Sequence, residues 1–152
     1  LSDDFILFND DFFVMQYTEE IKPLYHCTFD ERIAQLPKGE YRNNLQTTCD
    51  FLKKTIDTPL SYELHVPFVF NKQKLLELID KYPDLRSTRS LYGNLYGIGG
   101  EKSDDVKAFN DKPNFDYENT RFLSTDDGVV NINNNVWRFI KRNFPSRCKY
   151  EI

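Results

Sequence analysis

The chain has 152 residues and a net charge of −4, and 39% of its residues are hydrophobic, 29% charged and 15% aromatic. The length fits one domain at about 100–200 residues per domain, and the composition is that of a folded chain rather than a disordered one. An acidic chain lacks the broad basic surface of nucleic-acid-binding proteins, and no apolar run approaches the roughly 18 residues of a membrane-spanning helix.

The amino end of the chain and its cysteines indicate the cellular compartment in which the protein is expected. The amino end carries Asp3 and Asp4 and no basic region, so we predict no secretory signal. Three cysteines at wide spacing indicate reduced thiols in a cytoplasmic protein, rather than a zinc site or a disulfide framework; they are Cys27, Cys49 and Cys148. Because the first residue is Leu and the chain opens directly into a strand-like segment, we expect that an amino-terminal portion is missing.

The first third of the chain predicts one strand, an irregular stretch and a helix. Residues 4–8 form a short apolar run closed by acidic residues, which is typical of a fully buried strand. Residues 12–15 continue this strand or begin a new element, and the proline-containing residues 18–38 predict a loop with short strands. Residues 40–56 carry apolar side chains on one helical face and therefore predict a helix.

The middle of the chain predicts two further helices. Residues 61–70 are short and extended, and residues 72–82 form a helix for which Asn71 is a good N-cap. Four apolar side chains give that helix its buried face: Leu75, Leu76, Leu78 and Ile79. Residues 86–97 predict a third helix, ended by glycines.

The last third predicts strands and a final helix. Residues 106–109 and 121–124 are candidate strands, and residues 110–119 are a polar surface loop. Residues 132–144 carry an apolar stripe and a basic end and predict the last helix. Strands that alternate with helices indicate an α/β fold, with few strands flanked by helices.

Acidic residues follow two of the predicted strands. Asn9, Asp10 and Asp11 come directly after the first strand, and Asp126 and Asp127 follow a later one. Ligands bind at the carboxyl ends of strands in open α/β sheets, and adjacent carboxylates there can hold Mg²⁺ or Mn²⁺. The alternative is structural, since Asn and Asp are also preferred in turns and as helix N-caps.

One histidine and two arginines are further candidates. His65 stands beside apolar residues near Glu63, where it is a general base, a proton donor or a phosphate ligand, or else a buried structural residue. His26 has less context, and we interpret it as structural. Arg86 and Arg89 lie three residues apart, so on a helix they share a face that grips phosphate oxygens or is simply solvated.

The order of these motifs resembles the Stealth family. Phe-Ile-Leu-Phe-Asn-Asp-Asp at residues 5–11 is similar to its second conserved region. Glu-Leu-His-Val-Pro at residues 63–67, with the later Arg-Ser-Leu-Tyr at residues 89–92, is similar to the third, and Arg-Phe-Leu-Ser-Thr-Asp-Asp at residues 121–127 is similar to the fourth. The family comprises sugar-phosphate transferases of bacterial capsule synthesis and the catalytic part of the lysosomal-enzyme GlcNAc-1-phosphotransferase. The wording looks closest to short bacteriophage-encoded, glycosyltransferase-like relatives.

The resemblance implies a GT-A-like fold and a transferase activity. Residues 1–152 are then a single domain, the carboxy-terminal part of a Stealth-like transferase domain. The reaction moves a sugar-1-phosphate or a sugar from a nucleotide-sugar, expected to be a UDP-sugar, to an acceptor hydroxyl, with a divalent cation (Mg²⁺ or Mn²⁺) as cofactor. The acceptor is a carbohydrate or another hydroxyl compound, without a membrane, and DNA is not excluded as acceptor.

The resemblance also implies roles for the candidate residues. Asp10 and Asp11 hold the metal, and Asn9 and Asp10 bind the donor. Arg89, together with Arg86, binds the donor phosphates and stabilises their developing charge. His65 activates the acceptor hydroxyl or binds phosphate. Asp127 or Asp126 completes the pocket.

Two alternatives stay open at this point. The chain is an enzyme in its full-length form, or a non-catalytic bacteriophage structural or binding module (capsid- or scaffold-associated) that kept the transferase fold. A sugar-modifying enzyme acting on phage DNA is a third reading. For the enzyme, we expect Asp10, Asp11, His65 and Arg89 to line one cleft, together with Asp126 or Asp127. We expect the protein to be cytoplasmic, in the host cytoplasm if it is bacteriophage-encoded.

Overall fold

The structure, a computed structural model, describes residues 2–110, 113–131 and 133–146. The described chain is mixed α/β, with five α-helices and small sheets. In chain order the elements are β1 (Asp4–Leu7), β2 (Phe12–Val14), β3 (Leu24–Tyr25), β4 (Cys27–Thr28), α1 (Phe29–Gln35), α2 (Glu40–Leu52), β5 (Leu60–Ser61), β6 (Phe68–Asn71), α3 (Lys72–Lys81), α4 (Thr88–Leu95), β7 (Glu101–Lys102), β8 (Lys107–Ala108), β9 (Phe122–Thr125) and α5 (Asn135–Asn143).

The chain divides into two compact units. Unit 1 comprises residues 1–8 and 19–105, and unit 2 comprises residues 9–18 and 106–152. Each unit is described by itself below, and the prediction of a single domain over residues 1–152 stays a prediction. None of the described helices has the length and apolar character that crossing a bilayer requires.

Unit 1 is built from three two-stranded sheets and four helices around an aromatic core. β1 pairs antiparallel with β6, β4 antiparallel with β5, and β3 parallel with β7. The core draws on all four helices and on β6, and its members are Phe29, Ile33, Leu45, Cys49, Leu52, Tyr62, Phe68, Phe70, Leu78, Leu91 and Tyr92. The close packing of aromatic rings here explains the high aromatic content, because rings bury large areas each.

The prediction of a fully buried first strand is wrong. All four residues of β1 are exposed, with Ile6 at 47% and Leu7 at 40%. β6 is the only partner of β1 among the described residues, and it turns Phe68 and Phe70 toward the core while β1 lies at the edge of the ribbon. An apolar run therefore predicted the strand correctly but not the layer that would cover it.

The predicted loop at residues 18–38 contains a helix. Thr28 caps α1: its hydroxyl accepts a hydrogen bond from the backbone N–H of Glu31, and the Glu31 carboxylate accepts one from the backbone N–H of Thr28. This reciprocal capping box satisfies two backbone donors and fixes the start of the helix. The Thr-x-x-Glu spacing was a signal for it in the sequence.

The other predicted helices of unit 1 exist with shifted bounds. α2 ends at Leu52, four residues earlier than predicted, and α3 begins after Asn71, whose side chain accepts from the Lys74 N–H as predicted. The predicted apolar face of α3 is only partly buried, since Leu76 and Ile79 are about half exposed.

Unit 2 is a three-stranded sheet packed against α5. β9 is the central strand and is buried along its whole length; β2 pairs antiparallel with it and β8 parallel. Its core members are Ala108, Leu123, Val129, Val136 and Ile140. The helix predicted over residues 132–144 begins at Asn135, after an Asn134 N-cap, and residue 132 lies outside the described residues.

Candidate functional site

In unit 1 the structure holds the imidazole of His65 in one orientation. His65 lies in the bend between β5 and β6, where its Nδ1 is 2.7 Å from Oδ2 of Asp105 and its backbone N–H donates to Oδ1 of Asp105 at 2.9 Å. A carboxylate only accepts hydrogen bonds, so Nδ1 carries the proton and Nε2 of the neutral ring keeps its lone pair. The His65 side chain is 29% exposed, so the ring is supported but not sealed off from solvent.

Helix α4 supports the backbone on both sides of His65. The buried Arg89 guanidinium donates from Nη1 to the carbonyl oxygens of Leu64 and Val66, at 2.5 and 2.7 Å. Next to it, Ser90 donates through its backbone N–H and its hydroxyl to the Glu63 carboxylate, at 3.2 and 2.9 Å. These contacts fix the segment that carries the histidine, and the phosphate-binding role predicted for Arg89 stays a prediction.

The two arginines do not share a helical face. Arg86 precedes the N-cap Ser87 of α4 and is exposed, whereas Arg89 lies inside the helix and is buried. The prediction that both sit on one helix was wrong because the helix starts two residues after Arg86. Ser87 is a residue type that commonly N-caps helices, so the sequence carried a signal for this start, although the Ser87 side chain makes no capping hydrogen bond.

Two further polar residues of unit 1, Tyr41 and Arg32, interact with each other and were not among the predicted ones. Desolvation raises the pKa of Tyr41, as does the charge of Glu63, while Arg32 and its hydrogen bond to Tyr41 act in the opposite direction. Nε of Arg32 is buried with no hydrogen-bond partner in the part of the chain that the structure describes. A buried cationic donor left without a partner is a point where an anionic ligand group gains a charge-assisted hydrogen bond.

His26 fits the structural role predicted for it. Its backbone N–H donates to the Ser61 carbonyl at 2.8 Å, and its Nδ1 lies 3.1 Å from the Cys27 sulfur. Burial, followed by the charge of Arg32, lowers the pKa of His26, and burial raises the pKa of the Cys27 thiol. Both groups are therefore neutral near pH 7, which suits packing rather than nucleophilic chemistry. Cys49 is also free and buried, and Cys148 lies outside the described residues.

In unit 2 the side chain of Asp11 is held at the end of the sheet. Its Oδ2 accepts from the Lys107 ammonium and from the Ser124 hydroxyl, each at 2.9 Å, and both side chains are largely covered. Burial opposes ionisation of this carboxyl, but the hydrogen bonds from Lys107 and Ser124 and the charge of Lys107 outweigh it and lower the pKa of Asp11. Its other oxygen, Oδ1, is buried without a partner among the described residues.

The remaining predicted acidic residues lie in the same unit. Asp126 follows β9, its backbone N–H donates to the Ala108 carbonyl at 3.2 Å, and its Oδ1 is likewise buried without a described partner. Asp127 is exposed and begins a short 3-10 turn, as an Asp-Gly turn would. Asn9 and Asp10 precede Asp11 and are exposed.

The carboxylates of unit 2 fit a divalent cation only in part. The unpartnered Oδ1 atoms of Asp11 and Asp126 are the kind of hard oxygen that Mg²⁺ takes, but Lys107 already neutralises the other oxygen of Asp11. Among the described residues no group of three or more His, Cys, Asp or Glu side chains is placed to hold a metal ion. Mg²⁺ is commonly held by one or two carboxylates together with substrate phosphates, and this is the arrangement these residues allow.

Unit 1 also contains a cavity that the sequence did not indicate. Its volume is about 380 Å³. Its walls combine apolar residues such as Pro67 and Val69 with charged residues of both signs, which are Asp4, Lys22 and Lys74. One of the lining residues, Pro67, follows His65 by only two positions in the sequence.

The structure thus groups the predicted residues by unit. His65 and Arg89 lie in unit 1, while Asn9, Asp10, Asp11, Asp126 and Asp127 lie in unit 2. The prediction of one shared cleft stays a prediction. Sequence reasoning missed Asp105, Arg32 and Lys107, of which Asp105 and Lys107 stand 40 and 96 positions from the residues they contact. Comparison with protein-family models, with curated protein sequences and with solved structures finds no match to this chain.

Proposed function

We propose that the chain acts in a transferase of GT-A-like fold that moves a sugar-1-phosphate or a sugar from a UDP-sugar to an acceptor hydroxyl. We place it, with the bacteriophage relatives that it resembles, in the host cytoplasm. The observation that carries the proposal is the pair of His65 and Asp105, with 2.7 Å between imidazole and carboxylate. Transfer to a hydroxyl needs a general base near neutral pH. An imidazole that is held in one orientation and carries a lone pair on Nε2 is such a base.

The acceptor O–H gives its proton to Nε2 of His65, and Asp105 stabilises the imidazolium that forms. The acceptor oxygen then attacks either the β-phosphorus, which releases UMP, or the anomeric carbon, which releases UDP. The product nucleotide therefore distinguishes transfer of a sugar-phosphate from transfer of a sugar.

The donor's negative charge is met by acids that hold a cation and by basic side chains. Asp10 and Asp11 would hold Mg²⁺ or Mn²⁺, and Asp126 is a further candidate ligand for the cation. The bound cation neutralises charge on the diphosphate. Arg32 joins Arg89 as a candidate for contact with a donor phosphate, because its buried Nε lacks a described partner.

The test uses the full chain with Mn²⁺ and a panel of UDP-sugars. We expect a rise in melting temperature with both present, and loss of that rise in Asp11→Asn, by mass action. His65→Gln should bind the donor and release nucleotide about 10²–10⁴-fold more slowly, because glutamine cannot take the proton. His26→Gln, at the only other histidine, is the matched control and should turn over normally. Equal release of UMP or UDP by both variants would remove His65 from the chemistry.

A binding module without catalysis is the second candidate, and one observation favours it. The Lys107 ammonium forms an ion pair with the Asp11 carboxylate, so the negative charge of that carboxylate is already compensated within the fold, as a bound metal ion would compensate it. A module of this kind would show no gain in stability with Mn²⁺ and UDP-sugars, and Asp11→Asn would then lower stability without changing any ligand response.

A further inference from the structure

The second cavity, in unit 2, has walls of unusual chemistry. It measures about 280 Å³, and its lining consists of Phe109, Asn110, Gly128, Asn131, Asn133 and Asn134. Four of these six described residues carry a carboxamide, and none of the six is itself charged. Charged groups stand close to them: the Lys107 ammonium lies 5.8 Å from the centroid of the Phe109 ring, and the Asp126 carboxylate lies beside Gly128. Carboxamides donate and accept hydrogen bonds without carrying a charge, so they match the hydroxyl groups of a neutral ligand.

Several of the amides are fixed in orientation by the backbone. Oδ1 of Asn134 accepts from the Trp137 N–H at 3.1 Å, and Oδ1 of Asn131 accepts from the Asn133 N–H at 2.9 Å. Their oxygens are thereby occupied, and each Nδ2 keeps two N–H donors with no hydrogen-bond partner given by the described residues. The side-chain amide of Asn133 likewise has none, so the cavity presents preset donors together with an acceptor.

An exposed aromatic ring completes the wall. Phe109 is 60% exposed, beside the amides. A hexose ring has apolar C–H faces and an edge of hydroxyls that both donate and accept hydrogen bonds. The Phe109 ring and the neighbouring amides match these two parts of a hexose. The C–H face of the sugar packs on the aromatic ring and leaves water, while the sugar hydroxyls form hydrogen bonds with the amides.

The size and the neighbours of the cavity narrow the ligand. The volume of about 280 Å³ lies just below the range of about 300–1,000 Å³ that is typical of ligand pockets, so a ligand held here is small, on the scale of a single sugar ring rather than a nucleotide. A Cβ at Gly128 would lie 3.3 Å from Oδ1 of Asp126 and 3.7 Å from the carbonyl oxygen of Phe109. A side chain at Gly128 would therefore occupy space beside that carboxylate.

We propose that this amide-lined cavity binds one neutral sugar ring. The inference deepens the proposed function and rests on it only in naming that sugar as the acceptor; binding itself does not depend on transfer. Because the cavity lies beside Asp126, a ring bound there sits next to one of the carboxylates assigned to the transferase.

The experiment titrates the full chain with glucose, galactose and N-acetylglucosamine, without nucleotide. The chain has a single tryptophan, Trp137, whose backbone N–H is bonded to Asn134, so its fluorescence reports on the cavity. We expect at least one sugar to change this emission in a saturable way. Asn133→Ala should weaken binding about tenfold, the effect of one lost hydrogen bond to the ligand.

Two variants and one control separate binding from general effects. Phe109→Ala should weaken binding to a similar extent, and Asn134→Asp should weaken it while its carboxylate oxygen keeps the helix cap. Asn135→Ala is the matched control, since Asn135 belongs to the same run but does not line the cavity. No saturable response to any of the sugars, or equal affinity in Asn133→Ala and Asn135→Ala, would overturn the inference.

Failure of the inference is distinguishable from failure of the proposed function. Stabilisation by UDP and Mn²⁺ without any sugar response overturns the sugar site and leaves the transferase proposal intact. Sugar binding that depends on Asn133, in a chain that ignores UDP and Mn²⁺, supports the site and contradicts the transferase.

Discussion

Replacing Arg89 separates a residue that positions His65 from one that binds phosphate. The guanidinium donates to the carbonyls of Leu64 and Val66, two residues that are each 3% exposed. Arg89→Ala would leave both carbonyl oxygens buried without this donor, at about 1–3 kcal/mol each, or roughly 2–6 kcal/mol together. That is a large part of a total stability of about 5–15 kcal/mol. At about 2–4 °C per kcal/mol, the melting temperature should fall by roughly 4–24 °C.

The assay compares Arg89→Ala with a control three residues away. Arg86→Ala removes an exposed guanidinium and should stay within about 0.5 kcal/mol of the native chain in urea unfolding. Arg89→Lys keeps the charge but not the planar fork, so its loss of stability should lie between the two. Hydrogen exchange should show faster opening of the backbone at residues 62–66 in Arg89→Ala only. If Arg89→Ala is as stable as Arg86→Ala but no longer binds a UDP-sugar, the positioning role is wrong and the phosphate role stands.

Three further variants probe other contacts. Asp11→Asn should lower the free energy of unfolding by about 1.5–3 kcal/mol at neutral pH. Because the pKa of Asp11 is lowered in the folded chain, the stability contributed by its ionised carboxylate is complete above the ordinary aspartate pKa of about 4. That stability is lost as the pH falls below this value. A stability difference between variant and native chain that stays constant down to pH 2 would contradict this sign. Gly93→Ala should lose about 1–3 kcal/mol in urea unfolding, because its Cβ would lie 2.5 Å from a ring carbon of the buried Tyr62; an unchanged midpoint would show that the ring moves freely. Asp105→Asn should release His65 from the single Nδ1–H tautomer, as ¹⁵N chemical shifts of the imidazole report; identical shifts in variant and native chain would mean that the carboxylate does not set the tautomer.

Local signals predicted several elements of the fold correctly. The start of α3 at an Asn N-cap and the strand before Asp126 both follow from residues close together in sequence. The mixed α/β class is likewise confirmed. The missed helix α1 had a local signal too, in the Thr-x-x-Glu capping box. Elements whose ends are set by their own side chains are therefore within reach of sequence reasoning.

Burial and partnership were the harder part, because distant segments decide them. β1 is as apolar as a buried strand, yet its exposure follows from pairing with β6 alone among the described residues. Arg89 was predicted to lie on a helix face that either grips phosphate oxygens or is solvated, whereas it is buried and donates to the carbonyls at positions 64 and 66. Neither outcome is encoded in the spacing of neighbouring residues, so neither was visible before the fold.

In the candidate site, too, local sequence identified the residues while distant segments supplied their partners. These partners bear on the choice between catalysis and binding. Sequence reasoning selected His65 and Asp11 by residue type and context, but their partners Asp105 and Lys107 stand 40 and 96 positions away. These partners act differently: the Asp105 carboxylate orients the imidazole of His65, whereas an ammonium on a carboxylate reduces its capacity for a cation. Lys107→Met therefore tests Asp11 in the direction opposite to Asp11→Asn. If the carboxylate is a metal ligand, removing the lysine should increase the stabilisation by Mn²⁺ with a UDP-sugar, even though the chain itself becomes less stable. If Asp11 serves only the fold, Lys107→Met should lose stability and Mn²⁺ should restore none of it.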